Sequence, residues 1–403
     1  MRVLMINQVF YPDVAATAQH GHDLARYLVA QGHEVTAIAS RSLYGQKGAA
    51  LPSKETVDGI HIRRVGRSFF GKSSIIARLA DFVYFYIAAT LRALFLPRHD
   101  VVICFTTPPF ISLSGRIIRF FKRSKMVYWV MDLYPDAPIA VGVMREVSLA
   151  SRFFEWVNRS CLKSSDMNVV LGRCMRERVL AKGVDPKNVA LIGVWSDQEE
   201  VHPVPREENT FRKKWDVGDR MLVMYSGNLG LGHDVSTFLE SAKALRNDDR
   251  IRFAFVGGGK KKAEVEAYVH EHSLESTCIL APYQPREELD ELLSAADAHL
   301  VSLLEGAEGI MVPCKLFGIL AAARPTLFIG SEKSEIALVI DENSCGKLVR
   351  QGDSESLTKA ITEYASNPTE RMAAGDRART AIVEHHSMQQ RCEAWRTLLE
   401  GLV

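Results

Sequence analysis

Tyr225-Ser226-Gly227-Asn228-Leu229-Gly230-Leu231-Gly232-His233-Asp234 is the stretch that decides the fold. The apolar run at 221–225 predicts a buried strand, and residues 235–242 have the apolar spacing of a helix. Strand, glycine turn and helix together can cradle a phosphate. Glycine lets the backbone approach an anion, and a helix N-terminus offers unpaired N–H groups and a partial positive charge. Glycines also serve ordinary tight turns, so this stretch alone leaves both readings open.

The pattern repeats downstream. Residues 251–256 read as a strand entering Gly257-Gly258-Gly259-Lys260, and then a helix. A short strand at 276–280 leads to Ala281-Pro282-Tyr283-Gln284-Pro285, followed by a helix at 286–296 and a strand at 298–303. Pro313 sits at a helix start, where its missing N–H costs nothing. Upstream, residues 2–7 read as a strand, followed by a loop, a helix at about 19–31 and a strand at 34–39. Further strands at 101–105, 126–130 and 167–171 complete a first sheet. The 126–130 strand delivers Asp132-Leu133-Tyr134-Pro135-Asp136 to its carboxyl edge. Repeated βα units imply parallel sheets, whose ligands bind at that edge. The fold class is α/β, with two doubly wound, Rossmann-like domains facing across a cleft. The expected domains are 1–195 and 196–386, with a C-terminal helix at 387–403 able to pack back across the junction.

The 403 residues are 47% hydrophobic and 24% charged, ordinary for a globular protein long enough for two cores. Seven scattered cysteines without CxxC pairs predict reduced thiols in a cytosolic protein, without a disulfide framework or zinc site. Residues 1–6 run straight into a strand pattern, which predicts no signal peptide. The net charge of +2 hides an asymmetry: residues 1–195 carry 26 Lys+Arg against 14 Asp+Glu, and 196–403 carry 24 against 34. The halves are thus +12 and −10. The basic half either faces something anionic or simply attracts its partner domain. No aromatic-interleaved basic motif points to nucleic acid.

Residues 69–96 are the most hydrophobic stretch, interrupted by Arg78, Asp81 and Arg92. Its uninterrupted part is shorter than the ~20 residues of a membrane span. It reads as a core helix or as one dipping an apolar face into a bilayer surface. Residues 116–125 add a basic amphipathic helix, either a solvated face or a contact for anionic lipid.

Several motifs resemble one family. They are Phe10-Tyr11-Pro12-Asp13, Thr107-Pro108-Pro109, Asp132-Leu133-Tyr134-Pro135-Asp136, the two glycine turns, and Val312-Pro313-Cys314-Lys315-Leu316-Phe317 through Ala321-Ala322-Ala323-Arg324-Pro325. The chain resembles, over nearly its whole length, the retaining GT-B-fold glycosyltransferases of family 4 type that build bacterial O antigens, capsules and exopolysaccharides. The branch assigned to L-fucosamine transfer is the most similar. The resemblance implies a nucleotide-sugar donor, UDP-linked, carrying a hexosyl or N-acetylhexosaminyl group. It implies diphosphate binding by backbone N–H groups of Gly227, Asn228 and Gly230, with Gly257 and Gly258 beside them. Tyr283 and Gln284 would hold the base, Glu308 and Gly309 the donor sugar, and Lys315 the diphosphate. Ala16, Thr17 and Asp132 would lie on the acceptor side, with Asp132, Lys315 and Glu308 as the catalytic set. A polyprenyl-linked or glycan acceptor and a peripheral site at the inner face of the cell membrane follow from the same resemblance, with no cofactor or metal.

The chain also departs from that family. Asn228 and His233 stand where many relatives have Arg and Lys. Gly318 stands where many have a ribose-binding glutamate, and Asp132 where a histidine is common. Cleavage of a sugar–phosphate bond builds charge on the leaving diphosphate, which needs fixed donors and cations. Lys315 alternatively reads as a plain surface lysine, and Asp132-Leu133-Tyr134-Pro135 as an Asx turn. Two other functions stay open: an isomerase resembling UDP-N-acetylglucosamine 2-epimerases, and a donor-binding but inactive homologue.

Overall fold

The computed structural model describes residues 1–43, 50–66 and 75–403, with backbone alone for 75–78. Two compact units divide the chain. Unit 1 comprises Met1–Gly193, Gly309–Met311 and Gln389–Val403; unit 2 comprises Val194–Glu308 and Val312–Met388.

Unit 1 is built in the order β1 (Arg2–Ile6), α1 (Ala16–Ala30), β2 (Glu34–Ser40), β3 (Lys54–Val57), β4 (Ile60–Val65), α2 (Ile75–Phe95), β5 (Val101–Cys104), α3 (Ser112–Lys122), β6 (Lys125–Val130), α4 (Asp136–Ala140), α5 (Leu149–Ser164), β7 (Met167–Val170), α6 (Arg173–Ala181) and β8 (Val189–Leu191). Its sheet runs β3-β4-β2-β1-β5-β6-β7-β8, parallel except for the β3–β4 hairpin. Val101–Cys104 is buried throughout, as expected of a parallel strand covered on both faces.

Three expectations are corrected here. The first helix opens at Ala16, not near residue 19. The basic helix ends at Lys122, because Arg123 turns left-handed (φ 53°) and its N–H closes on the Arg119 carbonyl; Lys125 already opens β6. The sheet is not closed at 167–171, since β8 pairs beyond β7. The apolar stretch 69–96 begins outside the described residues. Its described part is α2, with Phe85, Ala89 and Ala93 buried and Leu79, Val83, Ile87, Leu91 and Phe95 exposed.

Unit 2 continues with α7 (Thr210–Lys214), β9 (Met221–Asn228), α8 (Ser236–Ala244), β10 (Ile251–Gly258), α9 (Lys262–Glu271), β11 (Cys278–Ala281), α10 (Leu289–Ala295), β12 (Ala298–Ser302), α11 (Lys315–Ala321), β13 (Thr326–Ile329), α12 (Glu335–Asn343), β14 (Gly346–Val349), α13 (Ser354–Ser366) and α14 (Pro368–His385). Its sheet runs β11-β10-β9-β12-β13-β14, with every pairing parallel. The strand order reverses between β9 and β12, which places a topological switch point at their carboxyl ends. Tyr225, Phe238, Phe253 and Leu300 are among the residues filling the core beneath it. The last helix, α15 (Met388–Leu402), gives all but its first residue to unit 1, where Trp395 packs 4.5 Å from Trp129.

Candidate functional site

The glycine turn lies at the switch point of unit 2. Where β9 and β10 converge, the backbones are so close that a Cβ on Gly257 (φ +133°) would lie 2.1 Å from the Gly227 carbonyl oxygen. That glycine is therefore fixed by packing. The Leu229 N–H is also committed, donating to the Gly258 carbonyl at 2.6 Å. The N–H groups of Gly230, Leu231 and Gly232 donate to no protein group among the described residues. Gly230 is thus shared with the sequence reading, and Leu231 and Gly232 extend the free amides further along the turn.

The helix behind the turn has part of its expected donor set taken. The Asp234 carboxylate accepts from Ser236 N at 3.0 Å and Thr237 N at 3.3 Å, and from both hydroxyls. It satisfies two first-turn donors of α8 and opposes the approach of a second anion there. An Asp before a helical run is an N-cap signal that sequence reasoning passed over.

A cation adds to the donors that remain. Lys315 opens α11 and reaches the turn, with its Cε and Nζ 3.5 Å from the position a Gly227 Cβ would occupy. Its ammonium donates to the Tyr225 hydroxyl at 2.6 Å and lies 3.8 Å from that ring's centroid. The Tyr225 hydroxyl in turn donates to the Asn228 carbonyl at 2.8 Å. No carboxylate pairs with Lys315 among the described residues, and burial pushes its pKa down to about 7. Ring and hydroxyl of Tyr225 hold the ammonium without neutralising it.

His233 lies on the other side of the turn. Its Nδ1 faces the Ser302 carbonyl at 2.6 Å, so that nitrogen carries the proton and donates. Burial, and then the Lys315 charge, push its pKa down to about 3. The ring is therefore a neutral spacer at ordinary pH. Lys261 adds a second cation nearby, donating to the His233 carbonyl at 2.6 Å. Neither Tyr225 nor Lys261 was singled out in the sequence. Tyr225 and Lys315 are 90 residues apart, and only the fold joins them.

Tyr283 follows β11 and is 56% exposed; a Cβ on Gly258 would come within 3.0 Å of its ring. Tyr283 therefore borders the same turn. Gln284 folds its amide onto the Pro282 carbonyl at 2.8 Å. Glu308 closes its stretch of unit 2. Gly309 (φ +71°) is counted in unit 1, and a Cβ there would lie 2.5 Å from the Cys174 carbonyl oxygen. Gly318 puts no side chain on α11, and a Cβ there would meet Leu293 at 3.2 Å.

The remaining candidates belong to unit 1. Ala16 and Thr17 form the first turn of α1, and Asp132 follows β6, two strands away from β1. Asp132 bridges Met311 through its backbone. Its carboxyl meets no hydrogen-bonding partner or cation among the described residues, and burial raises its pKa to about 6. No group of three or more His, Cys, Asp or Glu among the described residues is placed to hold a metal ion. No described helix is long and apolar enough to cross a membrane.

Comparison with known proteins places the molecule. The model of a glycosyl transferase 4-like domain matches residues 16–195, and that of glycosyl transferases group 1 matches 206–381. The chain belongs to this glycosyltransferase family and is an enzyme of that class, with the two parallel α/β domains of the GT-B fold. It is 31% identical to the glycosyltransferase WbjE of Pseudomonas aeruginosa over 291 residues, covering 72% of this chain and 71% of that one. It is 24% identical to WcaI of Escherichia coli K12, described as a colanic acid biosynthesis glycosyl transferase, over 97% of this chain and 98% of that one. Anabaena HepE, solved in complex with UDP-glucose, superposes with a TM-score of 0.75 at 11% identity, over the whole of both chains. Membership of a transferase family sets the isomerase alternative aside.

Proposed function

We propose that this enzyme is a retaining glycosyltransferase using a UDP-sugar, of hexosyl or N-acetylhexosaminyl type, in the synthesis of a bacterial surface polysaccharide such as an O antigen. One observation carries the donor reading. Among the described residues, Lys315 is a cation without a carboxylate and stands beside a turn with three undonated N–H groups. A diphosphate supplies the missing negative charge and the missing acceptors together. Tyr283 offers the base an exposed ring at the edge of the same turn, and Glu308 and Gly309 face the donor sugar. HepE's complex with UDP-glucose supports the choice of nucleotide, and WcaI's description supports the pathway.

Asp132 serves the acceptor, with Ala16 and Thr17, by positioning a hydroxyl or receiving its proton. The acceptor is a polyprenyl-linked sugar or glycan, met at the inner face of the cell membrane, and no metal takes part. The membrane contact lies on unit 1, where the sequence reading sought it at residues 69–96 and the basic helix α3.

Isothermal titration with UDP, GDP and ADP tests the donor reading. UDP binds tightest if it holds; a preference for GDP or ADP rejects UDP. A second reading, donor binding without transfer, rests on Gly318, which leaves α11 without a ribose-binding carboxylate. UDP-glucose that binds but is neither hydrolysed nor transferred over long incubation would favour it.

A further inference from the structure

Three helices of unit 1 form one layer. The chain passes from β4 to β5, β5 to β6 and β6 to β7 in one direction across the sheet, so right-handed crossovers put α2, α3 and α5 on the same face. Side chains stitch them together. Arg116 of α3 donates to Ser160 of α5 at 2.7 Å, and Lys122 of α3 donates to the Leu96 carbonyl after α2 at 2.9 Å. The outer surface of this layer is apolar. On α2, Leu79, Val83, Ile87, Leu91 and Phe95 are exposed at four-residue spacing, forming one ridge. Phe120 of α3 is 79% exposed, and Leu149 and Trp156 of α5 are 87% and 65% exposed, with Phe153 between them. Phe153 and Trp156 lie against each other, with ring centroids 6.1 Å apart, and clustered exposed apolar side chains mark interaction surfaces.

The charges around the layer are one-sided. Residues 112–125 hold five basic side chains and no acidic one; residues 141–164 hold four against two. Of those two acidic residues, Glu155 is already paired with Lys182 and Arg159. The basic groups of α3 are partly spent inside the fold: Arg119 pairs with Asp166 at 2.9 Å, and Arg116 and Lys122 are tied as described. Arg145 and Arg152, flanking the exposed end of α5, pair with no carboxylate among the described residues. A second copy on this face would set like charges against like, whereas an anionic bilayer complements them.

We propose that α5 and the segment leading into it, residues 141–149, are the bilayer-inserting edge of this enzyme. Val147, Leu149, Phe153 and Trp156 enter the headgroup–acyl boundary, while Arg145 and Arg152 meet anionic headgroups. The inference rests on the membrane reading above but moves the anchor from the basic helix α3 to an apolar edge that sequence reasoning did not identify. Trp156 is the exposed tryptophan of the five, and tryptophan favours this interfacial depth.

Flotation with vesicles of phosphatidylglycerol and phosphatidylcholine, some carrying brominated chains, tests it. The wild type floats, and its emission is quenched by the brominated lipid. Trp156→Phe still floats but loses the quenching. The double variant Phe153→Ser with Trp156→Ser partitions at least about tenfold less, while unchanged UDP affinity reports an intact fold. If the double variant floats like the wild type, and the wild type is not quenched, the α5 anchor is wrong while membrane association stands. If the wild type stays in the supernatant with anionic vesicles at low salt, both fall. If the double variant instead converts a dimer to a monomer in sedimentation, the face is a self-association surface and the proposal is overturned.

Discussion

Two cations set into unit 2 have opposite surroundings. Arg212 is saturated: its guanidinium donates to the carbonyls of Ala295, Gly218 and Arg220 and to the Asp297 carboxylate at 2.9 Å. Arg206 and Arg371 converge on the same carboxylate, at 3.1 and 3.5 Å, and the Leu222 N–H donates to it at 2.8 Å. Lys315 donates to one hydroxyl and rests on one ring. The carboxylates repeat the contrast: among the described residues, Asp297 serves three arginines, and Asp132 none. A charge that builds the fold has its partners inside the fold, because an unpaired buried ion is costly. A charge kept for a ligand retains that cost and waits for the partner to arrive.

The contrast is broken most severely at Asp297. Asp297→Ala leaves three guanidinium groups with backbone carbonyls but without the carboxylate they share, and should lower stability by about 3–5 kcal/mol. Thermal unfolding measures this. A loss below about 1 kcal/mol would place the cluster with ordinary surface pairs. Asp132→Asn should leave folding and UDP binding intact and cut transfer by about a hundredfold, the lower range for a positioned acid or base. Near-normal turnover would leave Asp132 as an Asx-turn residue.

The smallest predicted effect is in pH, and its sign follows from two shifts. Asp132, raised to about 6 by burial, is ionised above that pH, so kcat/KM should fall as pH drops through 6. Lys315, lowered to about 7 by burial, is charged below 7 in the empty site. A diphosphate favours the charged form, so affinity for UDP-glucose should fall above pH 7, by up to about tenfold per unit. Of the neighbours, His233, lowered to about 3, stays neutral throughout this range. Flat affinity between pH 6 and 8.5 would detach Lys315 from the donor.

Much of the fold was legible because parallel strands buried on both faces read as unbroken apolar runs, as in Val101–Cys104 and the start of β9. The β3–β4 hairpin escaped, since Lys54–Val57 is short and, but for Val57, polar, at a sheet edge. The edge strands β8 and β14 escaped for the same reason: three or four residues carry too little periodicity. At the site, the glycine turn stood out by residue type, and Lys315 only through the family resemblance. The amides left free and the Tyr225 support depend on contacts made only after folding, whereas the capture of the helix end by Asp234 was a signal in the sequence that went unread. Gly257 shows the limit well: it looked like a ligand glycine, and packing against Gly227 already requires it.

Calorimetric titration of UDP-glucose into the wild type and Lys315→Ala shows whether Lys315 is held back for the donor's diphosphate. A charge-assisted hydrogen bond contributes about 1.5–3 kcal/mol, so affinity should drop about tenfold or more in a variant that unfolds at the wild-type temperature. Above pH 7 the wild type should also take up close to one proton per donor bound, and the variant none. Equal affinity in the two proteins, with equal proton exchange, would contradict the account and return Lys315 to the surface of α11.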